Sequence, residues 1–171
     1  MQIITASPNQ AHIIAALGII TFYESYHAFN STADITHYTA QAFDMDTIRS
    51  EIASTNQFYF IVWIDTLPIA YIKININDCP VWIQDHGNAI EIQRIYVLQH
   101  YQSQGIGASM FLHALQFAQT HNKNYIWLGV WKENQKANNF YRKMNMQCIG
   151  ERSFHIGEKK YNDFIYGYKI N

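Results

Sequence analysis

QRIYVLQHYQSQGIGASMFLHALQFA, residues Gln93 to Ala118, contains a strand, a short loop and a helix in immediate succession. Ile95, Tyr96 and Val97 are β-branched or aromatic and continue the run that starts at Ala89. The loop is Tyr101-Gln102-Ser103-Gln104-Gly105-Ile106-Gly107. In the following segment Phe111, Ala114, Leu115 and Ala118 fall on one helical face, and Ser109, His113, Gln116 and Thr120 on the other. That split predicts a half-buried helix.

Glycine tolerates positive φ and has no Cβ to block a ligand. The first turn of a helix carries N–H groups without intrahelical acceptors and the positive end of the helix dipole. Gly105 and Gly107 ahead of a helix are therefore expected to seat a phosphate or pyrophosphate, with positive φ at one or both; a tight turn alone is the plainer alternative. A dinucleotide fingerprint needs a third glycine, where Met110 stands, and a P-loop needs Gly-Lys-Ser/Thr, which is absent from the sequence. The spacing that fits is Gln-x-x-Gly-x-Gly at Gln102, Gly105 and Gly107.

This loop resembles the coenzyme A loop of the GCN5-related N-acetyltransferases (GNAT). The resemblance implies a single domain over residues 1–171, of α/β (α+β) class. Its sheet would be mixed, mostly antiparallel and twisted, with one splayed parallel strand pair and flanking helices. Acetyl-CoA is the implied cosubstrate, contacted by Ile95, Tyr96, Val97, Gln102, Ser103, Gln104, Gly105, Ile106, Gly107 and Ala108.

The whole-chain properties agree with a soluble enzyme. The 171 residues suffice for a real core, and 49% are hydrophobic. A net charge of −1 gives no footprint for nucleic acid. The longest apolar runs, Ile13–Ile20 and Phe58–Ile64, fall short of the ~20 residues that span a bilayer. No signal pattern opens the chain. Cys79 and Cys148 make no disulfide framework, which points to the cytoplasm. Eight histidines lack ligand spacing, and no metal is expected.

In chain order, Gln2–Ala6 reads as a strand, and Ser7-Pro8 opens a helix running to about Phe29, softened at Gly18. Helices over Asp34–Phe43 and Asp46–Ser54 follow, the second capped by Asp44. Phe58–Ile64 and Ile69–Ile76 are strands around the turn Asp65–Pro68, and Asn77–Asn88 is a loop. In Ala89–Val97 the apolar–polar alternation slips at Gln93–Arg94. A β-bulge does this, as does burial on both faces. A bulge would bend the strand away from the parallel strand Tyr125–Val130 and leave backbone groups near Ile95–Val97 to pair with the amides of pantetheine.

Asn134 is a good N-cap, and Ala137, Phe140, Tyr141 and Met144 share a helix face. The spacing N-x-x-A-x-x-F-Y also resembles the second coenzyme A segment of the same superfamily, which adds Asn134, Ala137, Phe140 and Tyr141 to the cofactor contacts. IEIQRIYV, GIG, NYIWLGVWKENQKANNFYRKMNMQCIGERSFHIG and Asp163 together resemble the PaiA-type branch, whose members acetylate spermine and spermidine. Two departures stand out. Met144-Asn145-Met146 replaces a turn glycine, which calls for a left-handed asparagine. Tyr161-Asn162-Asp163 replaces the branch's Gln-Thr-Asp.

Acetyl transfer to an amine needs the amine unprotonated. With a pKa of about 10.4, under one alkylammonium in a thousand is neutral at pH 7. Glu91, six residues before Val97, stands where several members of the superfamily place their base. Tyr141 is the candidate acid for the departing thiolate. Glu24, Asp44 and Asp163 are candidates for gripping a cationic acceptor, each equally readable as a solvated carboxylate. The expected partner is a small-molecule amine, a polyamine foremost. Another small amine, a protein N-terminus or lysine, or a non-catalytic acyl-CoA or polyamine-binding module are the alternatives. A dinucleotide-dependent oxidoreductase is a weaker one. A homodimer through the C-terminal strands is left open.

Overall fold

The computed structural model describes residues 1–76, 80, 83, 88–156 and 159–170. Its strands are β1 (Gln2–Thr5), β2 (Gln57–Ile64), β3 (Leu67–Asn75), β4 (Ala89–Val97), β5 (Tyr125–Trp131), β6 (Gln147–Ile156) and β7 (Lys159–Lys169). Its helices are α1 (Ala11–Tyr26), α2 (Thr32–Ala42), α3 (Met45–Ile52), α4 (Ile106–Thr120) and α5 (Gln135–Lys143). The seven strands lie in the order β1-β2-β3-β4-β5-β7-β6. β4 and β5 run parallel, whereas β1–β2, β5–β7 and β6–β7 are antiparallel. The α/β class and the mostly antiparallel sheet with one parallel pair are therefore as the sequence predicts.

Cα packing divides the chain into two compact units. The first holds Met1–Ile74 and Arg94–Met110. Its helices begin where side chains offer acceptors. Ser7 N–H donates to Gln10 Oε1, Ser31 Oγ accepts from Asp34 N–H, and Asp44 Oδ1 accepts from Thr47 N–H at 2.8 Å. Ser31 therefore starts α2 earlier than Asp34. The predicted helix from Pro8 resolves into a 3-10 turn, Pro8–Gln10, and then α1. Gly18 does not soften α1: it makes room for the ring of Phe43, which a Cβ there would strike. Asp65 takes φ +53° in a tight turn, so β3 begins at Leu67 and includes Pro68. Ile14, Leu17, Phe22, Ile48, Ile61, Ile69 and Ile72 are among its buried core residues.

The second unit holds Asn75–Gln93 and Phe111–Asn171. Ile83, Ala89, Tyr125, Trp127 and Ile165 form a buried apolar cluster in it. The β4–β5 ladder matches Ala89, Ile90 and Glu91 to Tyr125, Ile126 and Trp127. Ala89–Ile92 are all buried, whereas Gln93 is exposed and Arg94–Val97 are half-buried, so two-sided burial does not account for the slip at Gln93–Arg94. Asn145 takes φ +61° after α5, the left-handed asparagine expected where a glycine is missing. Most of the predicted loop Asn77–Asn88, with Cys79, lies outside the described residues.

Candidate active site

The loop after β4 is fastened to its own unit at three points. Leu98 N–H donates to Ile69 O at 3.0 Å, and Gln99 N–H to Glu24 Oε2 at 3.0 Å. Gln102 Nε2 donates to Val97 O at 2.9 Å, so the glutamine of the Gln-x-x-Gly-x-Gly pattern ties the loop back to the strand end. Ser103 and Gly105 take φ of +64° and +82°. A Cβ on Gly105 would have nothing within 4 Å, so this face of the loop is open. α4 begins at once with buried Ile106, and Ser109 N–H donates to Gly105 O at 3.0 Å. Gly107 lies inside α4 rather than in the turn, so the demand for positive φ falls on Gly105 alone of the two. An open glycine at a helix start fits a pyrophosphate, which backbone N–H groups of this turn would hold.

In the second unit, Asn134 caps α5, its Oδ1 accepting from Ala137 N–H at 3.0 Å. Tyr141 is buried, with its ring centroid 4.9 Å from that of Phe140 and 6.1 Å from that of Tyr166. Asn138, which the sequence reading passed over, holds this corner. Its Nδ2 donates to Trp131 O, Lys132 O and Asn134 O at 3.1, 3.0 and 2.9 Å, and its Oδ1 accepts from the Tyr166 hydroxyl at 3.0 Å.

Glu91 is 3% exposed, a depth at which a carboxylate needs partners. Asn75 Nδ2 donates to Glu91 Oε2 at 2.8 Å. Arg152 Nη1 stands 3.8 Å from Glu91 Oε1, while Arg152 Nε donates to Asp163 Oδ2 at 3.1 Å. The guanidinium also lies 5.7 Å from the Trp127 ring centroid. β6–β7 pairing sets Arg152 opposite Asp163, and β5–β7 pairing sets Asp163 opposite Trp131. Gly129 leaves room for the pair, since a Cβ there would stand 2.6 Å from Arg152 Nη2 and 2.9 Å from Asp163 Oδ2. Burial pushes the Asp163 carboxyl above its ordinary pKa, with Arg152 pulling the other way. Asn75, Trp127, Gly129 and Arg152 carry no signal in local sequence; strand register alone brings them to Glu91.

The other candidates sit in the first unit. Glu24 accepts from the Gln99 N–H and Asp44 caps α3, which holds the Asp44 carboxyl below its ordinary pKa. A second buried network was not anticipated. Lys73, 2% exposed, pairs with Glu51 at 2.8 Å, and the Tyr59 hydroxyl donates to the same carboxylate. Burial drives Glu51 up, but the hydrogen bonds from Lys73 and Tyr59 outweigh it and leave Glu51 below its ordinary pKa. Arg94 Nη2 donates to Ala42 O at 3.0 Å, its guanidinium lies over the Phe43 ring, and Tyr96 meets Tyr71 edge-on. Among the described residues, no three His, Cys, Asp or Glu gather as metal ligands, and no helix is long and apolar enough to cross a membrane.

The profile of the acetyltransferase (GNAT) family matches residues 19–146. A relative named as an uncharacterized N-acetyltransferase in the pepI 3′ region of Lactobacillus delbrueckii subsp. lactis is 27% identical over 165 residues, 96% of this chain and 95% of its own. The PaiA N-acetyltransferase from Thermoplasma acidophilum, solved in complex with coenzyme A, superposes with a TM-score of 0.81 at 18% identity, over 99% of both chains. The ribosomal-protein-S18-alanine N-acetyltransferase from Escherichia coli gives a TM-score of 0.68 at 16% identity, over 99% of this chain and 94% of that one.

Proposed function

The chain belongs to the acetyltransferase (GNAT) family, and from that premise we propose that it transfers the acetyl group of acetyl-CoA to a primary amine of a small polycationic acceptor, spermidine or spermine foremost. The observation that carries this reading is Glu91. It is a buried carboxylate held by Asn75, at the strand position suited to a base, with a second carboxylate, Asp163, reached through Arg152. Motif likeness to the PaiA-type branch supports the acceptor class, and a PaiA N-acetyltransferase shares the fold.

Acetyl-CoA, when bound, supplies the acetyl group activated as a thioester. The N–H groups of Gly105, Ile106, Gly107 and Ala108 would hold its pyrophosphate, with Ser103 and Gln104 beside them. Backbone groups of Ile95, Tyr96 and Val97 would pair with the pantetheine amides, one N–H polarising the thioester carbonyl. Asn134, Ala137 and Phe140 would add cofactor contacts from the N-x-x-A-x-x-F-Y segment. Glu91 takes a proton from the acceptor ammonium, directly or through water, and frees its lone pair. The amine would then form the C–N bond as the C–S bond breaks; the Tyr141 hydroxyl would protonate the leaving thiolate, and the second proton shed by the new amide nitrogen would restore that hydroxyl. Residues 1–171 act in this reading as one catalytic domain in the cytoplasm.

A panel of polyamines, aminoglycosides and peptide amines incubated with acetyl-CoA, with products read by mass, tests the acceptor. A mass increase on spermidine or spermine supports the reading. Acetylation of peptide N-termini alone would favour a second reading, suggested by the fold shared with the S18-alanine enzyme. Acetyl-CoA binding without product on any amine would leave an acyl-CoA-binding module.

A further inference from the structure

We propose that Arg152 is a positioning residue for Glu91: its guanidinium, shared between Glu91 and Asp163, sets the protonation of the buried base. This rests on the reading of Glu91 as the base. The geometry comes from β-strand register. Arg152 reaches Asp163 across the β6–β7 ladder and Glu91 from the side of Trp127. The described groups that face Glu91 include Asn75 from β3, Trp127 from β5, Arg152 from β6 and, through Arg152, Asp163 from β7. Lys73, two residues before Asn75 on β3, has its ion pair with Glu51.

The cluster holds two carboxylates and one guanidinium. Both carboxylates are at most 9% exposed by side chain, whereas Arg152 is 41% exposed. Arg152 is thus the member that water and an incoming ligand reach. Its charge near Glu91 favours the carboxylate form, and the charge of Asp163 opposes it. Asp163 also takes the short hydrogen bond from Nε, leaving Glu91 the longer contact from Nη1. The guanidinium therefore holds Glu91 less firmly than it holds Asp163. Proton uptake from an ammonium then removes one of the two negative charges that share this guanidinium.

The arrangement has a signature that simple packing lacks. Removing the cation should raise the Glu91 pKa, and removing Asp163 should lower it by releasing Arg152 to Glu91. The test is a carboxyl-carbon NMR titration of protein carrying carboxyl-labelled glutamate, with the Glu91 resonance assigned by its loss in Glu91→Gln. Arg152→Gln should move the midpoint up by about one pH unit or more, the range for one opposite charge at this distance. Asp163→Asn should move it down, and Arg152→Lys should stay nearer the wild type than Arg152→Gln does. Should Arg152→Gln fail to fold, Asp163→Asn still decides: a midpoint that stays in place or rises in that variant overturns the proposal. Superimposed titrations, or shifts of the same sign in Arg152→Gln and Asp163→Asn, overturn the proposal whatever the enzyme acetylates. Opposite shifts support the hold on Glu91, and matching displacement of the acidic limb of kcat/KM then ties it to turnover.

Discussion

Gln102 donates its side-chain amide to the carbonyl oxygen of Val97 at 2.9 Å. The bond closes five residues of chain into a compact loop and fixes where Gly105 stands relative to the strand end. Ser103 and Gly105, both at positive φ, complete the turn, and Ile106 plugs it into the core. The loop is therefore shaped before any ligand arrives, which lowers the ordering cost of binding.

Gly105→Val meets two obstacles. At φ +82° a β-branched residue is strained, and its side chain would fill the open face of the loop. The variant should fold and lose at least about tenfold in acetyl-CoA affinity, roughly 1.4 kcal/mol. Titration calorimetry checks this, and an unchanged Kd in a folded variant contradicts the loop assignment.

Tyr141→Phe deletes one hydroxyl and keeps the ring that packs on Phe140 and Tyr166. With the phenol as proton donor, kcat should fall by about 10² or more while acetyl-CoA affinity holds. Steady-state rates at saturating acceptor decide the point; undiminished turnover makes Tyr141 a packing residue.

Asn138→Ala takes one donor from each of three carbonyls, which keep donors from the Asn134 and Asn138 backbone and the Gln135 side chain, and it deprives the Tyr166 hydroxyl of its acceptor in a buried corner. Leaving buried polar groups unpaired costs about 1–3 kcal/mol each in unfavourable cases, partly relieved by water. A urea midpoint lowered by at least about 1 kcal/mol of stability is expected. An unaltered midpoint would mean that the corner does not depend on Asn138.

Asp163 gives a pH dependence with a definite sign. Burial raises its folded pKa above the ordinary 3.8, against the pull of Arg152. A carboxyl whose pKa is raised by folding contributes stability fully below its unfolded pKa and loses it as pH rises through the folded pKa. Stability of the wild type minus that of Asp163→Asn should therefore decline as pH rises from 3.8 upward. Urea unfolding at a series of pH values measures it, and a difference that grows with pH contradicts the sign.

The parts of this protein legible in its sequence are those fixed by neighbours along the chain. The strand–loop–helix around Gly105 is one, because glycine, periodicity and capping act within a few residues. The caps at Asp44 and Asn134 and the left-handed Asn145 are others. What escaped was fixed by register or by contacts between distant segments. Arg152 meets Glu91 because β7 lies between β5 and β6. Gly18 resembles a helix weakness in sequence and is a packing site for Phe43, from a separate helix end. Lys73 is held in the core by Glu51, to which Tyr59 also donates, a pairing between segments distant in sequence.

The central claim is that Glu91 takes the proton from the acceptor amine. Its most direct test is the pH–rate profile of kcat/KM for wild type and Glu91→Gln with spermidine, or with whichever amine the mass panel selects. Glu91→Gln keeps the shape of the side chain beside Asn75 and removes the base. The variant should be slower at neutral pH by about 10²-fold, and should recover part of the loss at high pH, where free amine exists without help. Superimposed profiles would contradict the claim.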